Sequence, residues 1–193
     1  MLAVGSTAQA ALILHVEDKT LTASATTVTL DIWLEETGAT NFNVASYNVG
    51  LRLSPTGTLT FASHAVSTGA HPTLFTDDAV ITNQTPNASP PFGNYNAAND
   101  RLLADDLLVD GTDVAVQNDD REGLFSVTLN ISANALGVFA LNVDLDRSEI
   151  ADSQANVHTL VIDNGLITIN PVPEPAFMGL ALLGLPLLCR RRK

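Results

Sequence analysis

The stretch Thr26-Thr27-Val28-Thr29-Leu30-Asp31-Ile32-Trp33-Leu34 decides the fold class of this chain. Its aliphatic residues fall at every second position, with threonine, aspartate and tryptophan between them. Successive side chains of a β-strand point to opposite faces, so this period of two is typical of a strand with one buried face. The enrichment in β-branched residues supports the same interpretation. We therefore predict a strand that packs its aliphatic face into a core and turns Trp33 toward the other face.

The same alternation recurs along much of the chain. Strands are predicted at residues 11–16, 47–53, 58–66, 123–131 and 138–145, with a further strand within 74–83. Residues 101–109 are compatible with a strand or a short helix. Residues 85–99 hold three prolines and four asparagines, which predicts a long loop. Because Asn-Gly is a strong hairpin signal, residues 160–162 and 166–169 are expected to pair around Asn164 and Gly165.

Eight or nine strands without a convincing amphipathic helix predict an all-β protein. We expect an antiparallel β-sandwich of jelly-roll or Greek-key type over residues 11–170, with pairing mostly between neighbours in sequence. Three segments follow one another in a set order: residues 26–34, then Tyr47-Asn48-Val49-Gly50-Leu51-Arg52-Leu53-Ser54-Pro55, then Asn164-Gly165-Leu166-Ile167-Thr168-Ile169. This order of motifs resembles that of cohesin-type and related carbohydrate-binding β-sandwiches. It implies a fold, and no binding residue of that family carries over by position.

The last 23 residues have a different organisation. A proline-rich segment comes first, then an uncharged apolar run, Ala176-Phe177-Met178-Gly179-Leu180-Ala181-Leu182-Leu183-Gly184-Leu185-Pro186-Leu187-Leu188-Cys189, then Arg190-Arg191-Arg192-Lys193. The run would reach about 21 Å as a helix, whereas a stable spanning helix needs about 20 residues. Cationic residues stay on the cytoplasmic side of a membrane. This tail therefore predicts a short apolar C-terminal helix that associates with the membrane transiently, with the basic end as a stop.

The segment Val172, Pro173, Glu174 and Pro175, the apolar run and the basic end together resemble the PEP-CTERM sorting signal of exported bacterial proteins. The resemblance implies processing by an exosortase-like enzyme of the inner membrane. It also implies a Gram-negative host and a final location at the cell surface or in the extracellular polysaccharide matrix. Ala176, Phe177, Leu180, Leu183, Leu187 and Cys189 would be the membrane-associated residues. The resemblance covers only the tail.

The first ten residues end in Ala8-Gln9-Ala10, which has the form of a signal-peptidase site. We interpret residues 1–10 as the remnant of a signal peptide that is cleaved between Ala10 and Ala11. An ordinary N-terminus that happens to hold small residues is the alternative.

The chain carries a formal net charge of −12. Residues 11–170 hold five cations and 20 acidic residues, so this part alone carries about −15. Such a surface repels phosphate backbones, which excludes nucleic acid as a partner. Solubility outside the cell explains the acidity, and association with polysaccharide through divalent ions is the alternative.

No combination of residues points to catalysis, so we expect a protein that is not an enzyme. The histidines His15, His64, His71 and His158 are scattered and predict no metal site. The only cysteine, Cys189, lies in the tail. Adjacent carboxylates such as Asp105-Asp106 point to opposite faces of a strand, unlike a glycosidase pair.

The sequence leaves two ligand sites undecided, one for calcium and one for a sugar. Oxygen-rich segments leave open a structural calcium ion, although none matches an EF-hand loop. They are Asp110-Gly111-Thr112-Asp113, Asn118-Asp119-Asp120-Arg121-Glu122 and Asp144-Leu145-Asp146. Trp33, with Tyr47 or Tyr95, could stack on a sugar ring, or Trp33 could simply cover the domain edge. We expect a structural or adhesive protein of the cell surface, with a carbohydrate- or protein-binding module as the alternative and a polysaccharide hydrolase as a weaker one.

Overall fold

The computed structural model describes residues 11–38, 41–66, 71–75, 79–81, 100–108, 112–117 and 120–172. Within them the chain forms thirteen strands and no helix. The strands are β1 (Ala11–Val16), β2 (Lys19–Thr22), β3 (Thr27–Thr37), β4 (Phe42–Val44), β5 (Ser46–Ser54), β6 (Leu59–Val66), β7 (Ala79–Ile81), β8 (Arg101–Leu108), β9 (Val114–Val116), β10 (Arg121–Ile131), β11 (Gly137–Ala151), β12 (Leu160–Asp163) and β13 (Gly165–Asn170).

The strands form two large sheets and one small ribbon. The five-stranded sheet has the order β12-β1-β3-β10-β6, the six-stranded sheet has the order β2-β13-β11-β5-β8-β7, and β4 pairs with β9. This arrangement confirms the predicted β-sandwich. The predicted C-terminal helix and the loop at residues 85–99 lie outside the described residues.

The predicted pairing between neighbours in sequence is wrong. Of the strand pairs in the described part of the chain, only β7 with β8 joins consecutive strands. Two pairs are parallel, β1 with β12 and β13 with β2, and both lie at sheet edges. Each sheet is therefore assembled from strands that are distant in sequence. Burial of side chains in the shared core stabilises this strand order.

The alternation seen in the sequence builds that core. In β3 the side chains of Val28, Leu30, Ile32 and Leu34 are buried, as predicted. β5 contributes Val49, Leu51 and Leu53 from the opposite sheet. Both sheets turn their aliphatic positions inward, so the hydrophobic interior lies between them.

A column of three aromatic rings crosses the interior. Tyr47 of β5 stacks on Phe125 of β10 with ring centroids 5.8 Å apart, and on Phe75 at 5.9 Å. The Tyr47 hydroxyl donates a hydrogen bond to the carbonyl oxygen of Leu124, 3.4 Å away, where the β10 register is irregular. The column joins the two sheets through β5 and β10.

The predicted hairpin around Asn164 and Gly165 is also wrong. β12 pairs with β1 in the five-stranded sheet, whereas β13 pairs with β11 in the six-stranded sheet. Asn164 is the link between the sheets, and its side-chain oxygen accepts a hydrogen bond of 2.8 Å from the Val143 amide. The chain thus changes sheet here instead of turning back on itself.

The sequence predicted a strand within residues 74–83 and left residues 101–109 open between a strand and a short helix. The second is a strand, β8, which excludes the helical alternative. In the first, only Ala79–Ile81 forms a described strand. Leu74 and Phe75 are buried outside any strand, where the Leu74 amide donates to the Gly123 carbonyl oxygen at 2.8 Å.

Candidate functional site

The outer face of the six-stranded sheet carries two adjacent concave sites. The first, here called the β5–β8 site, has a volume of about 320 Å³. The second, the β5–β11 site, has a volume of about 480 Å³. Both lie on the solvent side of β5, which makes this face the candidate functional surface among the described residues.

Three polar residues form a row across the β5–β8 site. Asn48 of β5 lies opposite Glu149 of β11 on one side and opposite Asp105 of β8 on the other. The Asn48 side-chain oxygen is buried and has no hydrogen-bond partner in the described part of the chain. The row therefore presents two carboxylates on the outer face, which favours a cationic donor on a partner.

Apolar side chains border this row. Leu107 is half-exposed, and Leu103 lies further along the same face of β8. Ser46, opposite Leu107, completes the lining. An apolar rim around a polar floor is typical of a surface that orients a partner by its polar groups and gains affinity from apolar contact.

The β5–β11 site has a different charge pattern. Arg52 lies opposite Asn142, and Asp144 and Asp146 lie nearby on β11. Leu145 is exposed at its edge. This site therefore offers one cation beside two carboxylates.

A bulge in β11 separates the two sites. Asp144 pairs with Gly50 and Glu149 pairs with Asn48, so four residues of β11 stand opposite Val49 alone. The Ser148 hydroxyl accepts a hydrogen bond of 3.0 Å from the Gly50 amide and donates one of 2.8 Å to the Asp144 carbonyl oxygen. A Cβ on residue 50 would lie 2.9 Å from the Arg147 Cβ. Gly50 thus lets the bulge close over the sheet.

Two titratable groups lie beneath the β5–β8 site. Asp106 is only 5% exposed, and burial raises its pKa to about 6. Its carboxylate accepts a hydrogen bond of 2.8 Å from the Leu107 amide, which opposes the shift. Burial also raises the pKa of Tyr47 well above its ordinary value, with the charges of Asp106 and Asp105 adding to the effect.

Asp106→Asn should stabilise the protein at pH 7 by about 1 kcal/mol. The pKa of Asp106 is raised in the folded state, so ionisation favours the unfolded chain. Stability is lost as the pH rises from about 4 through about 6. Urea unfolding of both forms at pH 4 and pH 7 measures this, and the variant should lose less stability over that interval. Asp146→Asn, at an exposed carboxylate, is the control. If the stability of Asp106→Asn depended on pH in the same way as that of the wild type, Asp106 would not be the group whose pKa is raised.

Trp33 lies on the outer face of the five-stranded sheet, as the alternation predicted. Its ring stacks on His15 with centroids 5.0 Å apart, and His71 lies against it at 4.7 Å. Tyr47 is buried on the other sheet, so the two rings cannot form a common sugar platform. Tyr95 lies outside the described residues. Trp33 is enclosed between two imidazoles. This supports the alternative that Trp33 covers the edge of the domain and does not stack on a sugar ring.

His15 is part of a network of polar side chains around Trp33. Its Nδ1 lies 2.9 Å from an Asp163 carboxylate oxygen, and its Nε2 lies 3.1 Å from Glu35. Arg121 Nε lies 3.1 Å from the same Glu35 oxygen. The network spans four strands of the five-stranded sheet and ties the edge strand β12 to it. His64, by contrast, is buried, and burial lowers its pKa.

The oxygen-rich segments are only partly described. Asp110, Asn118 and Asp119 lie outside the described residues. Asp113 accepts hydrogen bonds from the Ser153 amide at 2.7 Å and from the Ser153 hydroxyl at 3.1 Å. Within the described ranges no group of three or more histidine, cysteine or acidic residues could hold a metal ion. Asp105 and Asp106 point to opposite faces of β8, as predicted for adjacent carboxylates.

The terminal predictions fall mostly beyond the described part of the chain. Ala11 begins β1, and Val172 is exposed after β13. Residues 1–10, including Ala10, and residues 173–193, including the Pro173-Glu174-Pro175 motif, are not described. The part of the chain that is described contains no helix long and apolar enough to cross a membrane.

Of the residues that line the β5–β8 site, Tyr47, Asp105 and Asp106 were considered from the sequence, whereas Asn48, Leu107 and Glu149 were missed. Asn48 and Leu107 stood at outward positions of predicted or ambiguous strands, so their exposure could have been inferred. Their proximity could not, because it depends on the pairing of β5 with β8 and β11. Glu149 was further hidden because it lies beyond the predicted end of its strand.

Solved cohesin structures share this fold. The third cohesin of ScaC from Acetivibrio cellulolyticus, solved with the ScaB dockerin, superposes with a TM-score of 0.58 at 15% identity, covering 82% of this chain and 99% of that one. A non-cellulosomal cohesin from the archaeon Archaeoglobus fulgidus gives 0.55 at 14% identity, covering 88% and 97%. The cohesin of a type I cohesin–dockerin complex from Clostridium thermocellum gives 0.58 at 13% identity, covering 86% and 97%.

No family model and no curated protein matches the sequence. The structural likeness spans nearly the whole length of each cohesin, so the chain has the cohesin-type β-sandwich fold. At this level of identity the likeness concerns the fold alone.

Proposed function

We propose that this protein is a non-enzymatic binding module that recognises a protein partner through the outer face of its six-stranded sheet. The observation that carries the proposal is the row Glu149–Asn48–Asp105, bordered by exposed Leu107. The fold supports it, since two of the cohesins described above were solved in complex with dockerins.

The chemistry of the row indicates what the partner must present. The two carboxylates on either side of Asn48 favour a lysine or arginine side chain, because a cation can donate to both of them. The rim leucines favour an apolar group beside that cation. The negative charge of residues 11–170 would steer a basic partner surface toward this face. We infer a partner surface that combines basic and apolar residues.

We further propose that the module acts outside the cell. The support is the sequence of the tail, with Pro173-Glu174-Pro175, the apolar run and the four terminal cations. In this proposal an exosortase-like enzyme processes the tail at the inner membrane, and the module reaches the cell surface or the extracellular polysaccharide matrix. Intact-mass analysis of the exported protein tests it, because retention of residues 176–193 on the mature protein would contradict processing.

Leu107→Glu should weaken binding of the partner about tenfold, which corresponds to about 1.4 kcal/mol. The partner is first isolated by affinity capture on the full chain and identified, and its affinity is then measured by calorimetry with the purified proteins. Glutamate at this position removes apolar contact and adds a charge that the partner must desolvate.

Val161→Glu is the matched control for Leu107→Glu. Val161 has the same exposed fraction as Leu107, 49%, but it lies on β12 of the other sheet. The proposal expects the control to bind with wild-type affinity. An equal loss of affinity in both variants, or a loss of affinity in Val161→Glu alone, would place the interface elsewhere.

A further inference from the structure

The β2–β13–β11 half of the outer face differs from the half that carries the β5–β8 site. Its outward side chains are uncharged, although residues 11–170 as a whole are strongly acidic. They are Thr20, Thr22, Val138, Ala140, Asn142, Leu166, Thr168 and Asn170. This set is called the neutral face below.

Exposed apolar side chains concentrate along the neutral face. Val138 is 59% exposed and lies diagonally from Leu166 across the β11–β13 pair. Leu136 directly precedes β11, and Val172 follows β13, and both are also exposed. Four exposed large aliphatic residues around one strand pair form a patch that favours a covering partner.

The chain itself supplies a segment of suitable length at this place. The apolar run begins at Ala176, and only three residues separate it from exposed Val172. Its fourteen residues need about 21 Å as a helix. The six residues of β13 extend about 20 Å. A run that reversed direction at Pro173-Glu174-Pro175 would therefore end near Gly165.

The charges at the far end of β13 complement the end of the tail. Asp18 lies there, with its carboxylate accepting a hydrogen bond of 2.7 Å from the Leu166 amide. Asp144 and Asp146 follow Asn142 on β11. The cations of residues 190–193 come directly after the apolar run. Apolar residues would thus meet the neutral face while the cations meet carboxylates.

We propose that, away from a membrane, residues 176–189 fold back onto the neutral face and cover Val138 and Leu166. This contact shields the apolar run in water and is exchanged for lipid when the tail enters a membrane. A lipid surface is the less suitable direct occupant of the neutral face, because the acidic module is repelled by anionic headgroups. The proposal does not depend on the partner inferred above, whose site lies on the other half of the sheet.

Cys189, the only cysteine, allows a direct test in the full-length, unprocessed chain. Asn142→Cys places a second thiol at the Gly165 end of the neutral face. Ser63→Cys places one at an exposed position of β6 in the other sheet. Under mild oxidation in aqueous buffer, the intramolecular disulfide to residue 142 should form about tenfold faster than that to residue 63, because docking raises the effective thiol concentration.

A second variant separates docking from random encounter. Adding Val138→Asp and Leu166→Asp to Asn142→Cys should reduce the rate of disulfide formation to that of the Ser63→Cys control. Equal rates for residues 142 and 63 would overturn the proposal. Predominant disulfide-linked dimers at residue 142 would also overturn it, since they would show that a second copy covers the face.

Discussion

Replacing Phe125 by alanine is expected to lower the free energy of unfolding by about 3–5 kcal/mol. Phe125 is 1% exposed, and its ring stacks on Tyr47 of the opposite sheet at 5.8 Å. The substitution removes apolar contact, leaves a cavity and interrupts the aromatic column between the sheets. Because the chain forms no disulfide within residues 11–170, this loss has no covalent compensation.

Urea denaturation monitored by circular dichroism measures the effect. The urea concentration at the midpoint of unfolding should fall strongly. The slope of the unfolding free energy against urea should stay near that of the wild type, because the surface exposed on unfolding is similar. Leu136→Ala, at an exposed position, is the control and should change stability by less than about 0.5 kcal/mol. A loss below about 1 kcal/mol for Phe125→Ala would mean that the column does not join the sheets.

The second large effect is expected at the corner between the sheets. Gly165→Val should destabilise the protein by about 3 kcal/mol. A Cβ at residue 165 would lie 2.6 Å from Val16 Cγ1 and 2.7 Å from the Glu17 carbonyl oxygen. The second contact is with backbone, so the clash can be relieved only by separating the β1–β2 corner from the β12–β13 corner.

Thermal unfolding of Gly165→Ala and Gly165→Val provides the measurement, and the loss should increase from alanine to valine. Val161→Ala on the preceding strand β12 is the control, because that side chain is half-exposed and its removal creates no clash. If Asn164 and Gly165 formed a hairpin turn instead, alanine and valine would not contact Val16, and the graded loss would be absent.

Local strand structure was largely predictable from this sequence. The aliphatic residues of 26–34 are buried at every second position, and β5 follows its predicted alternation except at buried Gly50. β10 alternates only in part, because Gly123 to Val127 are all buried. This succeeds because the period of two is imposed by the strand itself, whatever its neighbour. The same reasoning placed Trp33 on the outer side of its sheet.

Strand pairing was much less predictable. Asn164-Gly165 has the local chemistry of a hairpin turn, yet the structure uses it to change sheet. The alternative pairing depends on contacts with Val16 and Glu17, nearly 150 positions away in sequence. Such contacts leave no local pattern, so a prediction from residues 160–169 alone favoured the hairpin.

The candidate site was hidden for the same reason. Asn48, Asp105 and Glu149 meet only because β5 lies between β8 and β11. The bulge in β11 carries Asp146 and Arg147, which lie just beyond the strand end predicted at residue 145. The strand continues to Ala151 and brings Glu149 into the row.

Site-specific photo-crosslinking tests the central claim most directly. A benzophenone-bearing residue is placed at position 107 in one full-length protein and at position 161 in another, and each is irradiated with the identified partner. Both positions are equally exposed, and they lie on different sheets. Our account predicts a covalent complex from position 107 and none from position 161. A complex formed at position 161 but not at 107 would contradict binding through the outer face of the six-stranded sheet.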